Sequence, residues 1–149
     1  MQTIFDKSTC DALLRRVDAV HAGSARQWGK MSAAQMLEHT ARALEMAAGR
    51  RPAKQALVGK VISRFFRKDF VGEKPFGKNS PTSPDFIVRD DPALEPAREK
   101  VKTLIRELHA GGEKDCDGRV HSFFGKMTGA EWGVTQYKHV DHHLRQFGA

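Results

Sequence analysis

Three histidines are spaced so that they could hold one metal ion. His139 and His143 lie four residues apart in the last predicted helix, and His39 lies in an earlier predicted helix. Imidazoles at positions i and i+4 lie one above the other on a helix and can chelate the same ion. Helical angles place His39 at the core edge of its helix and His143 in the middle of an apolar stripe. If the two helices pack side by side, the three imidazoles converge.

A site built from His39, His139 and His143 would leave at least one position of a divalent ion open to water or substrate. Such an arrangement is expected of a catalytic centre rather than of a purely structural one. Nitrogen donors suit zinc, nickel, iron and copper alike, so the residues do not identify the ion. The alternative is that these histidines are hydrogen-bonded core residues that bind no metal, or that hold an ion which only stabilises the fold.

Four other side chains are candidates for the surroundings of this site. Trp132 and Gln136 fall in the inward stripe of the last helix, where Gln136 could hydrogen-bond a ligand or a substrate. His142 falls beside that stripe and is predicted to be a surface residue, with a place in the pocket as the alternative. His121 precedes two phenylalanines and is predicted to be structural, with a place at the mouth of the site as the alternative.

The sequence names no general acid or base. Glu38 and Asp141 adjoin candidate ligands along the chain, but their helical angles point them outward. Tyr137 is expected on the outer flank of the last helix for the same reason. His21 and His109 are assigned to helix ends or to the surface.

Most of the chain is predicted to form helices, and these helices must position the candidate residues. Ser8, Ser32 and Thr128 each open a capping pattern, with an acidic or amide residue three positions later. The predicted helices run from Ser8 to about His21, from Ser32 to near Gly49, from Lys54 to Lys68, from Asp91 to His109 and from Thr128 almost to Gly148. We therefore expect an all-α protein built as a small helical bundle.

Two segments between the predicted helices lack a regular pattern. Residues from Asp69 to Asp91 are interrupted by glycines and prolines, and they are predicted to form a long, ordered surface loop. A loop of this length inside one domain is either functional or contains a short element. A polar loop that carries Cys116 is predicted before the last helix, and Pro96 is expected in the first turn of its helix.

The segment from Lys54 to Lys68 is predicted to be a basic amphipathic helix. Its apolar side, which includes Phe65 and Phe66, is expected to cover the bundle, while its lysines and arginines face solvent. The basic side suggests a second function, which is binding of nucleic acid or of another anionic surface. We do not expect nucleic acid to be a partner, because arginines on an outer helix face are usually only solvated.

The composition excludes several classes of protein. The chain has 149 residues, of which 40% are hydrophobic and 29% charged, and its formal net charge is +7. These values are typical of a globular domain, predicted here over residues 1–149, and they exclude a disordered tail. No apolar stretch approaches the roughly 18 residues of a membrane-spanning helix, and the start does not resemble a signal peptide. Cys10 and Cys116 are predicted to be reduced thiols of a cytoplasmic protein.

Two stretches of the sequence resemble the DinB-like (YfiT-like) superfamily. The residues from Trp28 to His39 are similar to the tryptophan-serine-glutamine-leucine-histidine opening of the second helix in that superfamily. The residues from His121 to Gly148 are similar to the close of one branch, a domain-of-unknown-function family. The resemblance extends over nearly the whole chain, and the closing stretch is its specific part.

The resemblance implies a four-helix bundle in up-down-down-up order, with a divalent ion such as zinc, nickel or iron held by His39, His139 and His143. It also implies a transferase or isomerase that uses a low-molecular-weight thiol, such as bacillithiol, mycothiol or glutathione, on a small-molecule substrate. In that chemistry the ion stabilises the thiolate near neutral pH. The oligomeric state stays open, with a homodimer as one option.

Overall fold

The computed structural model describes residues 1–149 as a mostly helical fold. The α-helices are α1 (Lys7–Ala19), α2 (Ala33–Ala47), α3 (Leu57–Val71), α4 (Leu94–Cys116) and α5 (Gly129–Gln146). A single 3-10 turn spans Pro84–Phe86, and the strands β1 (Val120–His121) and β2 (Gly125–Lys126) pair as an antiparallel ribbon. The helical content agrees with the expected all-α class. The two strands of the ribbon have two residues each, which is too short to produce an alternating pattern of apolar and polar residues in the sequence.

Four of the helices share one hydrophobic core of 25 buried residues, to which Ile4 and Phe147 near the chain ends both contribute. Helix α4 packs against α1, α2 and α5, and α2 also packs directly against α5. Trp132 is fully buried in this core. The direct contact between α2 and α5 brings together two helices that each carry histidines. None of the helices combines the length and the apolarity that are needed to cross a bilayer.

Two of the three predicted capping patterns are confirmed. The Ser32 hydroxyl accepts the Gln35 amide hydrogen at 3.1 Å, and the Gln35 side chain accepts the Ser32 amide at 3.0 Å. Thr128 and Glu131 make the same reciprocal pair at the start of α5. The cap predicted at Ser8 is wrong, because α1 already begins at Lys7 and its start has no side-chain cap.

The structure corrects the expected end of α4. Gly112 has left-handed φ of 66°, but helical hydrogen bonding resumes beyond it and continues to Cys116. The glycine therefore kinks the helix instead of ending it. The added turn carries Cys116, expected in a polar loop, into the core, where the residue is 1% exposed and burial raises the pKa of its thiol to about 11. Pro96 lies in the first turn of α4, as expected.

The long segment after α3 contains the short element that its length suggested. Helix α3 runs on to Val71, and the 3-10 turn brings Phe86 inward, where it is 8% exposed. The Phe86 ring packs edge-on against His39, with ring centroids 6.3 Å apart. The segment therefore places Phe86 beside the histidine cluster. Helical periodicity could not have predicted this contact, because Phe86 lies outside the predicted helices.

The expected orientation of α3 is wrong. Its apolar side chains point into solvent instead of covering the bundle, with exposed fractions of 80% for Leu57, 58% for Val58, 64% for Val61, 68% for Phe65 and 54% for Phe66. Only Gly59 and Ser63 of the helix are buried, and Phe70 and Val71 at its end pack against the core while partly exposed. A Cβ added at Gly59 would overlap the carbonyl oxygen of Phe123, so α3 approaches the ribbon too closely for a larger residue.

Polar contacts hold α3 in this orientation. The Arg67 guanidinium binds the Glu131 carboxylate at 2.6 Å and donates to the carbonyl oxygens of Phe124 and Lys126. At the end of the helix, the Lys138 ammonium donates to three backbone carbonyl oxygens, those of Asp69, Phe70 and Gly72, at 2.7 to 3.0 Å. Carbonyls at a helix C-terminus lack partners within the helix, so a buried lysine from α5 satisfies them.

We predict that Lys138→Met destabilises the protein by about 1 to 3 kcal/mol, because three carbonyl oxygens lose their shared donor. Urea unfolding followed by circular dichroism measures the change. Lys114→Met is the matched control, since Lys114 is exposed on α4 and its substitution should leave the unfolding midpoint unchanged. Equal midpoints for the two variants would contradict the anchoring role of Lys138.

Candidate metal centre

The structure brings the three predicted ligands together. One ring nitrogen from each of His39, His139 and His143 lies within 4.8 Å of the other two. The Nε2 atoms of His39 and His139 are 3.2 Å apart, and the His143 ring lies edge-on to both other rings, with centroids 4.7 Å away. His39 and His143 are buried, whereas His139 is partly exposed. The three rings therefore form one cluster between α2 and α5.

Hydrogen bonds fix the tautomer of His39. Its Nδ1 lies 2.9 Å from the carbonyl oxygen of Phe86, which can only accept. The proton of the neutral ring therefore sits on Nδ1, and Nε2 carries a free lone pair. A ligand histidine commonly donates its second nitrogen to a carbonyl in this way, which orients the ring. The 3-10 turn thus sets the direction of one candidate ligand.

The tautomer of His143 follows from a longer chain of contacts. Gln146 donates its amide nitrogen to the Trp28 carbonyl oxygen at 2.8 Å, which turns its Oε1 toward His143 Nδ1 at 2.9 Å. Because Oε1 only accepts, Nδ1 of His143 carries the proton and Nε2 is free. Gly29 belongs to the same arrangement, since a Cβ there would overlap the Gln146 amide nitrogen.

His139 is the ligand candidate without a fixed tautomer. Its Nδ1 is buried and has no hydrogen-bond partner, and the Oε1 of Gln136, one turn earlier on α5, is buried and unpartnered as well. In the metal-free chain, Nε2 of His139 can donate to the free lone pair of His39. If Nε2 of His139 were to bind an ion, its Nδ1 would carry the ring proton.

The geometry fits a divalent ion. Two nitrogens bound to one tetrahedral zinc at about 2.0 to 2.1 Å are roughly 3.3 Å apart, close to the 3.2 Å between the two Nε2 atoms. The three donor atoms all lie within 4.8 Å of one another, so the widest pair would have to approach by up to about 1.5 Å around a tetrahedral ion. The unpartnered Nδ1 of His139 is the atom that such an ion would leave protonated.

Burial keeps the three imidazoles uncharged. It lowers the pKa of His39, lowers that of His143 to about 3, and holds that of His139 well below its usual range. The neighbouring histidines add to the effect on His139 and His143, because two imidazolium charges at this distance repel. All three rings are therefore neutral at pH 7, which is the form that binds metal.

The structure corrects the expected position of His142. This residue is 8% exposed rather than on the surface, and its ring packs against His143, with centroids 5.1 Å apart. Trp28 covers it on one side, and Phe76 from the long segment packs near it at 6.4 Å. His142 therefore lines the cluster without belonging to it, in agreement with the pocket alternative.

His121 and Trp132 support the cluster from the ribbon side. Nδ1 of His121 accepts the backbone amides of Phe123 and Phe124 at 3.0 and 3.3 Å, which shapes the turn of the ribbon. The His121 ring packs on Trp132 with centroids 5.5 Å apart, and Trp132 is fully buried. These contacts tie His121 to the ribbon and to the core, and the alternative of a place at the mouth of the site stays a prediction.

The charged residues near the ligands are engaged elsewhere. Glu38 pairs with Arg42 and Lys100, and Asp141 pairs with Arg16 and Arg145, as their outward helical angles indicated. His21 is exposed beyond α1, and His109 is half-buried on α4, where it donates to the Phe5 carbonyl oxygen. Tyr137 lines a cavity of about 390 Å³ on another face of α5.

Sequence reasoning missed four partners of the cluster, namely Trp28, Phe76, Phe86 and Gln146. Only Gln146 had a usable signal, because it lies three residues after His143 and falls close to the inward stripe of α5. The other three come from irregular segments, where side-chain direction does not follow from spacing. Trp28 lies within one of the two stretches that resemble DinB-like proteins, but the sequence does not indicate that its carbonyl oxygen accepts a hydrogen bond from Gln146.

The chain belongs to the family described as Protein of unknown function (DUF1569), whose model matches residues 4–149. No curated protein and no solved structure matches the chain. The family assignment agrees with the expected domain-of-unknown-function branch, and its description names no reaction or ligand.

We predict that the chelated protein loses stability as the pH falls from about 7.5 to about 5.5. Burial lowers the pKa of His121 to about 4 and that of His143 to about 3, whereas both rings titrate near 6.5 in the unfolded chain. Below pH 6.5 the unfolded chain therefore binds more protons than the folded one. Each of these rings should remove about 1.4 kcal/mol of unfolding free energy at the lower pH.

Urea unfolding at the two pH values, in excess chelator, measures this loss. His21→Asn is the matched control, because His21 is exposed and the variant should show the same pH dependence as the parent chain. An unfolding free energy that stays constant across the interval would contradict burial of these rings in neutral form.

Proposed function

We propose that this member of the DUF1569 family is a metal-dependent enzyme in which His39, His139 and His143 hold one divalent ion. The observation that carries the proposal is the convergence of one ring nitrogen from each of three histidines, with Nε2 left unprotonated in His39 and His143 by the hydrogen bonds at Nδ1. A purely structural histidine cluster would not need free lone pairs that face one another.

Three protein ligands favour a catalytic over a structural centre. Structural zinc sites are closed by four protein ligands, whereas catalytic sites keep a position for an exogenous group. Neither free cysteine is among the three clustered residues, and both cysteines are buried elsewhere in the core. Of the three ligand candidates, His139 alone is partly exposed.

An ion held there would supply a Lewis acid that stabilises a bound anion such as a thiolate. The chain itself orients two of the ligands through the Phe86 carbonyl oxygen and Gln146, and the Phe86 ring packs against His39. We assign no general acid or base, because Glu38 and Asp141 are held in ion pairs. The proposed reaction therefore depends on a nucleophile that becomes anionic when it binds.

The finer part of the proposal follows from the resemblance to DinB-like proteins. It comprises the up-down-down-up order of a four-helix bundle, a low-molecular-weight thiol as the nucleophile and a small electrophilic substrate. Support comes from Trp28 and His39, which the resemblance placed in one motif and which both serve the cluster, one through Gln146 and one directly. Zinc, nickel and iron remain equally suitable ions.

We predict that His143→Ala abolishes metal binding while the protein stays folded, because the hydrophobic core does not depend on this ring. Protein purified without a histidine tag should contain about one ion per chain, and the variant less than about a tenth of that, by elemental analysis. His21→Ala is the control and should keep its metal. Full metal content in His143→Ala would refute the ligand assignment.

We predict that the cobalt-substituted protein develops a sulfur-to-cobalt charge-transfer band when a low-molecular-weight thiol is added. The band reports direct binding of the sulfur at the open position, which a structural site would lack. Glutathione is compared with its S-methyl derivative, which cannot provide a thiolate. A d–d spectrum that neither compound changes would contradict the thiol proposal and leave the metal site itself intact.

A further inference from the structure

Helix α3 presents an apolar surface that the rest of the chain leaves uncovered. We call it the α3 face and define it as Leu57, Val58, Val61, Phe65 and Phe66, which are all more than half exposed. Lys60, Arg64 and Lys68 are exposed on the same helix, and Arg64 lies over the Phe65 ring at 4.8 Å. Single exposed apolar residues are common on proteins, but a contiguous group of this kind marks an interaction site.

The exposure of the α3 face is built into the fold. Gly59 allows the opposite side of the helix to approach Phe123 closely, and Arg67 and Lys138 fix both the middle and the end of the helix by hydrogen bonds. A rotation that buried Phe65 would break these contacts. The apolar side chains are therefore held outward by specific interactions.

We propose that the α3 face docks onto an anionic membrane surface, with the helix lying in the plane of the interface. Leu57, Val61 and Phe65 would enter the boundary between headgroups and acyl chains. Lys60, Arg64 and Lys68 would meet the lipid phosphates. An apolar stripe with aromatic residues beside lysines and arginines is the pattern of helices that lie on membranes rather than span them.

Charge complementarity selects an anionic surface. Between Ala47 and Lys68 the chain has basic residues and no acidic one. Arg50, Arg51 and Arg67 are neutralised by glutamates of the bundle, while Lys54, Lys60, Arg64 and Lys68 form no ion pair. Asp69 is the one acidic residue of α3. Four unpaired cations beside an apolar stripe favour phosphate-bearing lipids, because each cation near such a surface is attracted to it.

A second copy of the chain fits the α3 face less well. The α3 face lies on one helix of 15 residues, about 22 Å long, and its exposed cations Lys60, Arg64 and Lys68 would lie close to those of the second copy. A two-fold axis through the middle of the helix would also bring Arg64 against its symmetry mate. Nucleic acid fits less well again, because it would leave Leu57, Val58 and Val61 exposed.

Vesicle co-sedimentation tests the proposal with tag-free, full-length protein. The probes are vesicles of phosphatidylcholine alone and vesicles with an equal share of phosphatidylglycerol, each at low and at high salt. We expect binding to the anionic vesicles only, with a loss at high salt. The double variant Val61→Asp with Phe65→Asp should bind at least about tenfold more weakly. Each substitution removes an apolar contact and adds a negative charge that the anionic lipids repel.

Two controls separate the contributions. Ile87→Asp places the same charge at an exposed apolar position outside α3 and should leave vesicle binding unchanged. Lys60→Gln and Lys68→Gln should each weaken binding about fivefold, whereas Lys114→Gln should not. All of these positions are surface-exposed, so circular dichroism and metal content should equal those of the parent chain.

Three results would overturn the proposal. The first is no binding to anionic vesicles, and the second is equal binding by the double variant. The third is a homodimer in light scattering, or a complex with RNA, that the double variant abolishes while vesicle binding persists. The metal-binding proposal does not depend on this outcome, because the α3 face contains none of the three histidines.

Discussion

Three neutral imidazoles buried against one another constrain the rest of this structure. Each ring has one donor nitrogen and one acceptor nitrogen, and both need partners once water is excluded. The chain supplies two of the outer partners, the Phe86 carbonyl oxygen for His39 and the Gln146 oxygen for His143. Nδ1 of His139 has no such partner, so the ring of His139 is the one that the chain does not orient by a hydrogen bond at Nδ1.

Irregular segments serve this constraint as much as the helices do. The 3-10 turn carries the Phe86 carbonyl oxygen to α2, and the turn before α2 carries the Trp28 carbonyl oxygen to Gln146. Phe76 and Phe70 stack with centroids 5.0 Å apart, which connects the segment over His142 to the end of α3. The lysine anchor at Lys138 then fixes that end to α5, one residue before a candidate ligand.

Helical periodicity in the sequence predicted the positions of the helices and the directions of the side chains on them. Helical spacing and two capping patterns located α2 and α5, and the angular positions of His39 and His143 followed from them. The orientation of α3 could not be predicted this way, because the close contact at Gly59 and the bonds of Arg67 decide it. Cys116 was misplaced because a glycine with left-handed φ can kink a helix without ending it. The partners of the cluster lie in irregular segments, where spacing carries no directional information.

The central claim is that three imidazoles, and no other protein side chains, bind one divalent ion. X-ray absorption at the metal edge of tag-free protein tests it most directly. We predict three imidazole nitrogens at about 2.0 to 2.1 Å, with the remaining position filled by a light, exchangeable atom. A sulfur shell contributed by the protein, a shell of six oxygens or a protein that acquires no metal from supplemented medium would contradict the account.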